Sequence, residues 1–190
     1  MHSTDSLRED LDYVTSAVRQ QDRTVGIPII YFLWAMIVLV GYALPDFAPH
    51  LAGAFWFVAG IGGGLLSWWL ASRDEKRRGV IDRATGRRWG LHWVIGGVGF
   101  FLSALPMLTG RVDPAFGATT FLLTGGLIYA LAGVHLERPM LWSGLIMLAA
   151  YAVLVIFAPP YVWTISGIVI AFALCWAGIA AQRQRRLVML

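Results

Sequence analysis

Six long apolar stretches constrain the fold of this chain more than any other feature of its sequence. Each is close to the roughly 20 residues that an α-helix needs to cross about 30 Å of hydrocarbon. The composition agrees, since 58% of the 190 residues are hydrophobic and 14% are charged, whereas soluble domains average about 45 to 50% and about 25%. We therefore predict an all-α integral membrane protein with six transmembrane helices, at 26–44, 51–71, 89–108, 116–135, 140–157 and 162–181.

The polar connections group these helices into three sequential hairpins. Each outgoing helix carries a tryptophan near its start, and each returning helix ends at an arginine. Duplication of one two-helix unit would produce this pattern and a pseudo-threefold bundle. The alternative is that tryptophan at interfaces and arginine at inner ends recur in membrane proteins without any duplication.

The basic residues predict which way the helices point. Basic loops near membrane helices stay on the cytoplasmic side. Fourteen of the fifteen Lys and Arg residues lie on the side of the two termini and of segment 72–88, and Arg111 is the exception. We therefore expect a multi-pass protein of a plasma membrane, of the bacterial inner-membrane type, with both termini cytoplasmic. Its parts are a cytoplasmic region at 1–25, a bundle at 26–181 and a basic tail at 182–190.

An amphipathic cytoplasmic helix is predicted from Ser6 to about Gln21. Ser6 followed by Glu9 fits a capping box, in which each side chain satisfies a backbone donor of the first turn. The surrounding net charge of minus two does not suit an anionic lipid surface. Docking of a second protein or of another copy competes here with simple packing on the bundle. The residues of the apolar face, which recur at helical spacing, are Leu7, Leu11, Val14 and Val18.

Segment 72–88 is the second predicted docking surface, because it holds seven of the fifteen basic residues. It is expected to contact a partner or the acidic N-terminal helix. The net charge of +4 does not indicate a nucleic-acid partner, since the cations lie at the ends of apolar segments, where membrane topology explains them. The arginines expected to make these contacts are Arg77, Arg78, Arg87 and Arg88.

The second and fourth segments hold an alternative candidate site, a pathway for a solute. A glycine cluster can break a helix and expose its carbonyls, as in transporters, although close helix packing is the simpler interpretation. No charged residue falls within a predicted membrane segment, which disfavours a proton-driven pump. The predicted pathway residues are Gly60, Gly62, Gly63, Gly64, Thr120 and Thr124.

Two histidines are the remaining candidates for chemistry. His92 lies early in the third segment and His135 late in the fourth, so both fall at about the same depth near the cytoplasmic surface. They could form a metal or haem pair or a pH-sensitive gate, but without a third donor at ligand spacing, hydrogen-bonded interface histidines are favoured. We predict no metal site, no cofactor and no catalytic residue, since phosphate-binding, zinc and nucleophile motifs are absent from the sequence. The chain is not expected to be an enzyme.

Two functions remain. The first is a small non-enzymatic interaction or accessory subunit that acts through its cytoplasmic helix and basic segment. The second is an oligomeric passive channel or transporter for a small uncharged solute. The organised polar features lie outside the apolar segments, which favours the first.

Overall fold

The computed structural model describes residues 26–78 and 83–188, and every regular element in these ranges is a helix. Six helices are long and apolar enough to cross a membrane, which confirms the predicted helical class and the number of candidate spans. The predicted amphipathic helix at 6–21 lies outside the described residues. Helix α1 is Pro28–Phe47, α2 runs through Pro49–Phe55, a π-helical turn at Trp56–Gly60 and Ile61–Arg78, α3 is Arg83–Leu108, α4 is Pro114–His135, α5 is Arg138–Phe157 and α6 is Val162–Val188.

Proline and turn residues determine several of the helix boundaries. Prolines occupy the first turn of α1, α2, α4 and α5, where the fixed φ suits a helix start and the missing N–H has no helical partner. The Asp113 carboxylate caps α4, because it accepts a 2.7 Å hydrogen bond from the Ala115 N–H. Ala158 ends α5 in the left-handed conformation, with a φ of 40°.

The basic segment 72–88 is helical over most of its length. Helix α2 continues to Arg78 and α3 begins at Arg83, whereas the apolar pattern placed the two helix ends near 71 and 89. The predicted tail likewise continues α6 to Val188. Lys, Arg, Glu and Gln are strong helix formers, and neither stretch contains proline. The apolar pattern therefore marks the membrane-compatible part of a helix and not its end.

Helix α6 lies at the centre of the bundle. It packs along α1 on one side and against α5 on the other, while α3 joins the bundle through α4 and α2 joins it through α1. In α6, 50% of the apolar stretch is buried, compared with 6% in α2 and in α3. The order across the bundle is therefore α2–α1–α6–α5–α4–α3.

The most extensive helix contacts join different predicted hairpins, α1 with α6 and α4 with α5. A threefold arrangement of hairpins would need a third contact of this kind, between α2 and α3. Within residues 26–78 and 83–188 these two helices make no extensive contact. The described bundle is thus open along one side and not a closed threefold ring.

Close approach of two backbones holds α4 against α5. A Cβ atom added to Gly144 of α5 would clash with the backbone nitrogen of Ala130 and lie 2.6 Å from the carbonyl oxygen of Gly126. Small residues permit such contacts where lipid provides no hydrophobic drive for association. A Cβ atom added to Gly62 of α2 would instead meet nothing within 4 Å. Close packing therefore explains the glycines of α4 and α5 better than Gly62.

We predict that Gly144→Ala lowers the stability of the bundle by about 1–3 kcal/mol, because the clashing atoms belong to a helix backbone and cannot move aside as a side chain can. Gly62→Ala is the matched control, since it adds the same methyl group to a helix surface in open space, and it should leave the stability unchanged or raise it by up to about 1 kcal/mol, because alanine is the better helix former. Thermal unfolding in detergent micelles measures both. Equal melting temperatures for the two variants would contradict this packing.

Candidate functional site

The predicted docking residues fall only partly within the described structure. The apolar residues Leu7, Leu11, Val14 and Val18 lie outside it, as does the side chain of Arg78. Among the other predicted residues, Arg77 is exposed in the last turn of α2, and Arg87 and Arg88 are exposed near the start of α3. These three arginines therefore present positive charge at one end of the bundle.

The predicted pathway residues are divided between two helices. Gly60 ends the π-helical turn of α2, and the helix continues regularly through Gly62, Gly63 and Gly64. Thr120 and Thr124 lie on α4, which makes no extensive contact with α2 in the described part of the chain. Each threonine hydroxyl donates to a carbonyl one turn earlier, at 2.9 Å. One copy of the described chain therefore does not bring the two sets together.

Glu137 is a candidate that the predicted site residues do not include. It lies in the two-residue turn between α4 and α5, and its side chain is only 4% exposed. Its Oε2 atom accepts a 2.6 Å hydrogen bond from the Tyr31 hydroxyl, and the Gly26 N–H also donates to the carboxylate. Among the described residues Oε1 has no hydrogen-bond partner. A buried polar atom without a partner is uncommon, which makes this turn a candidate site.

Arg185, near the end of α6, contacts the same region through Gly26 and also binds Asp74 of α2. Its Nε donates a 2.9 Å hydrogen bond to the Gly26 carbonyl oxygen. Its terminal nitrogens form a bidentate pair with Asp74 of α2, at 3.0 and 3.1 Å, and such pairs add geometric specificity to charge. Four parts of the chain therefore meet in one cluster. We call this cluster the polar hub: Gly26, Tyr31, Asp74, Glu137 and Arg185.

Burial controls the protonation of the polar hub. It raises the pKa of the Glu137 carboxyl above its ordinary value, because desolvation outweighs the opposing effects of the Tyr31 and Gly26 hydrogen bonds and of the Arg185 charge. Burial therefore shifts the protonation equilibrium of this carboxyl toward its neutral form, relative to a carboxyl in water. The only sequence signal for this site was an acidic residue in a very short connection between two apolar segments, and that signal does not predict burial.

The two predicted histidines share one cleft, between the start of α3 and the end of α4. The Nε2 atom of His92 lies 3.2 Å from the carbonyl oxygen of Ile128, and its ring packs edge-on against Trp93. His135 is the last residue of α4. No group of three metal-ligating side chains occurs in the described ranges. A metal ion in this cleft would therefore find at most two histidine ligands among the described residues.

Comparisons of the chain with protein-family models, with curated proteins and with solved structures gave no significant match. The polar hub and the histidine-containing cleft are therefore interpreted from their own geometry.

We predict that Tyr31→Phe destabilises the bundle by about 1–3 kcal/mol, because the buried Glu137 carboxyl loses a hydrogen-bond donor. Tyr42→Phe is the matched control: Tyr42 is also buried on α1, its ring packs on Trp163, and its hydroxyl makes no hydrogen bond to the described residues. Thermal unfolding of both variants should show a loss for Tyr31→Phe alone. A similar loss in both would show that the ring position, not the hydrogen bond, determines stability.

The pH dependence of unfolding gives a second prediction. The fold raises the pKa of Glu137, so the stability that this group contributes is fully present below the unfolded value of about 4.3 and is lost as the pH rises through the folded value. The wild-type free energy of unfolding should therefore fall with rising pH in that window, by at most about 1.4 kcal/mol per pH unit from this group. Glu137→Gln should flatten the profile.

The matched control for this experiment is Glu75→Gln, because Glu75 is an exposed glutamate of α2. It should leave the wild-type profile in place. A Glu137→Gln chain that unfolds with the full wild-type pH dependence would remove Glu137 as the responsible group.

Proposed function

We propose that this protein is a non-enzymatic accessory subunit of a bacterial-type inner membrane, with its six helices in the bilayer and both termini in the cytoplasm. The six long apolar helices support the membrane location, as do the large apolar side chains exposed on α2 and α3, which suit hydrocarbon and not water. Most basic residues lie in segment 72–88 and near the two termini, and this excess supports the orientation.

One observation carries the docking role: within the polar hub, Glu137 and Arg185 bind both backbone groups of Gly26. Its N–H donates to the Glu137 carboxylate, and its carbonyl oxygen accepts from Arg185. The contact is tight, because a Cβ atom at Gly26 would lie 2.7 Å from the Tyr31 hydroxyl oxygen. Gly26 directly follows region 1–25 in the chain. Because the bundle holds Gly26 in place, it also fixes the point at which region 1–25 joins the bundle. A docking element at 6–21 needs such a fixed attachment point.

Charge gives this end of the bundle a second means of recognition. Arg77, Arg87 and Arg88 are exposed, whereas the N-terminal region is acidic. Opposite charges attract the acidic N-terminal region, or an acidic surface of a partner, toward these arginines. Such exposed contacts act within a screening length of about 10 Å at 0.1 M salt. The partner is a second protein or another copy of this chain.

An oligomeric passive channel or transporter for a small uncharged solute is the second candidate. It is favoured by the π-helical turn at Trp56–Gly60, because π turns are frequent at functional sites. The exposed, weakly buried faces of α2 and α3 mean that such a pathway would form between copies and not within one.

We predict that replacing Leu7, Leu11, Val14 and Val18 by serine abolishes partner contact, because docking would use this apolar face. A photoreactive phenylalanine analogue in place of Tyr13 measures the contact in cells, as a discrete crosslinked product of the full-length chain. The matched control replaces the polar residues Thr15, Gln20 and Gln21 by serine and should keep the product. Equal melting temperatures of the two purified variants show that the bundle is intact.

The mass of the crosslinked product identifies the partner, since twice the chain mass means another copy. An unchanged product in the four-residue variant, with an intact bundle, would contradict the docking role. Solute flux through proteoliposomes that contain this chain alone, lost in Gly62→Leu, would favour the channel instead.

A further inference from the structure

The cleft that contains the two histidines shares no lining residue with the polar hub. It has a volume of about 400 Å³ and opens where α3 begins and α4 ends. Its α3 residues are spaced so that they form one stripe along the helix. The residues that line this histidine cleft are Arg88, Leu91, His92 and Ile95 on α3, with His135 and Leu136 at the end of α4.

The stripe changes from charged to apolar along its length. Arg88 lies at the basic end, His92 one turn further, and Ile95 about 10 Å from Arg88 along the helix axis. His135 is the last residue of α4, and its imidazole ring can donate a hydrogen bond. The histidine cleft therefore offers positive charge at its outer end and aliphatic surface further in.

This gradient suits one class of ligand. The guanidinium of Arg88 can bind two phosphate oxygens at once, and no acidic side chain lines the cleft among the described residues. A free inorganic anion has no apolar surface to pack against Leu91 and Ile95, whereas a hydrocarbon chain does. Basic pockets between membrane helices are known binding sites for anionic lipid headgroups.

We propose that the histidine cleft binds an anionic glycerophospholipid, with Arg88 and His135 at the phosphate and with Leu91 and Ile95 along the acyl chain. This inference rests on the membrane location proposed above but not on the docking role of the N-terminal region. It assigns the two predicted histidines to anion binding instead of metal binding.

Native mass spectrometry of the full-length protein in mild detergent tests this assignment, with phosphatidylglycerol, phosphatidylethanolamine and inorganic phosphate as probes. Phosphatidylglycerol should bind at least about fivefold more tightly than phosphatidylethanolamine, the effect of about one basic side chain. Arg88→Gln should remove most of this preference. Arg87→Gln is the matched control, because Arg87 is an exposed neighbour that does not line the cleft, and it should change phosphatidylglycerol binding less than twofold.

A second pair of variants tests the acyl-chain contact. Ile95→Ser should weaken phosphatidylglycerol binding, whereas Val94→Ser, at an exposed position outside the cleft, should not. If Arg88→Gln fails to fold by its melting temperature, His135→Gln replaces it with the same expectation.

Three results would overturn the proposal. The first is equal binding of the two lipids, and the second is equal loss in Arg87→Gln and Arg88→Gln. The third is full displacement of the lipid by 10 mM inorganic phosphate together with no effect of Ile95→Ser, which would assign the cleft to free phosphate. A failure here leaves the crosslinking experiment on the N-terminal region unaffected, so the two proposals can fail separately.

Discussion

The exposed apolar surface of α2 and α3 is the constraint on which the rest of the structure depends. Phe57, Ile61 and Trp68 of α2 are each more than half exposed, and an apolar surface of this extent in water drives association. Lipid tails are as apolar as leucine, so hydrocarbon removes that drive but also contributes little to helix packing. A bundle in such a solvent has to be held by close backbone contacts and by polar groups at its ends.

The described residues supply both. Small residues bring α4 and α5 into backbone contact, and polar contacts hold the antiparallel pair α1 and α6 at both ends. At one end the Asp46 carboxylate accepts hydrogen bonds from the backbone and the hydroxyl of Thr164, at 2.8 and 2.6 Å. At the other, Arg185 binds Gly26. Arg185 and the buried Glu137 lie at the same end of the bundle, and both contact Gly26. The polar hub therefore has a structural role in addition to the proposed docking role.

The helices could be predicted from the sequence because hydrocarbon thickness sets the length of an apolar span, and such a span is a local signal. The extension of α2 to Arg78 could not be predicted in this way, since charged helix formers continue a helix without any apolar pattern. The burial of Glu137 depends on Tyr31, which is 106 residues away in the chain, and a single sequence does not encode that pairing locally. His92 and His135 line one cleft, because α3 and α4 are neighbouring antiparallel helices and the start of one lies beside the end of the other.

The central claim, that hydrocarbon surrounds the six helices and the basic ends face the cytoplasm, is tested most directly by side-specific thiol labelling. In a Cys175→Ser chain, His50→Cys places a single thiol at the exposed start of α2, and Arg87→Cys places one near the exposed start of α3. Because α3 begins where α2 ends, the two positions mark opposite ends of the bundle. In sealed right-side-out vesicles a membrane-impermeant maleimide should label His50→Cys alone, and detergent should then expose Arg87→Cys. Labelling of both positions in sealed vesicles, or of Arg87→Cys alone, would contradict the account.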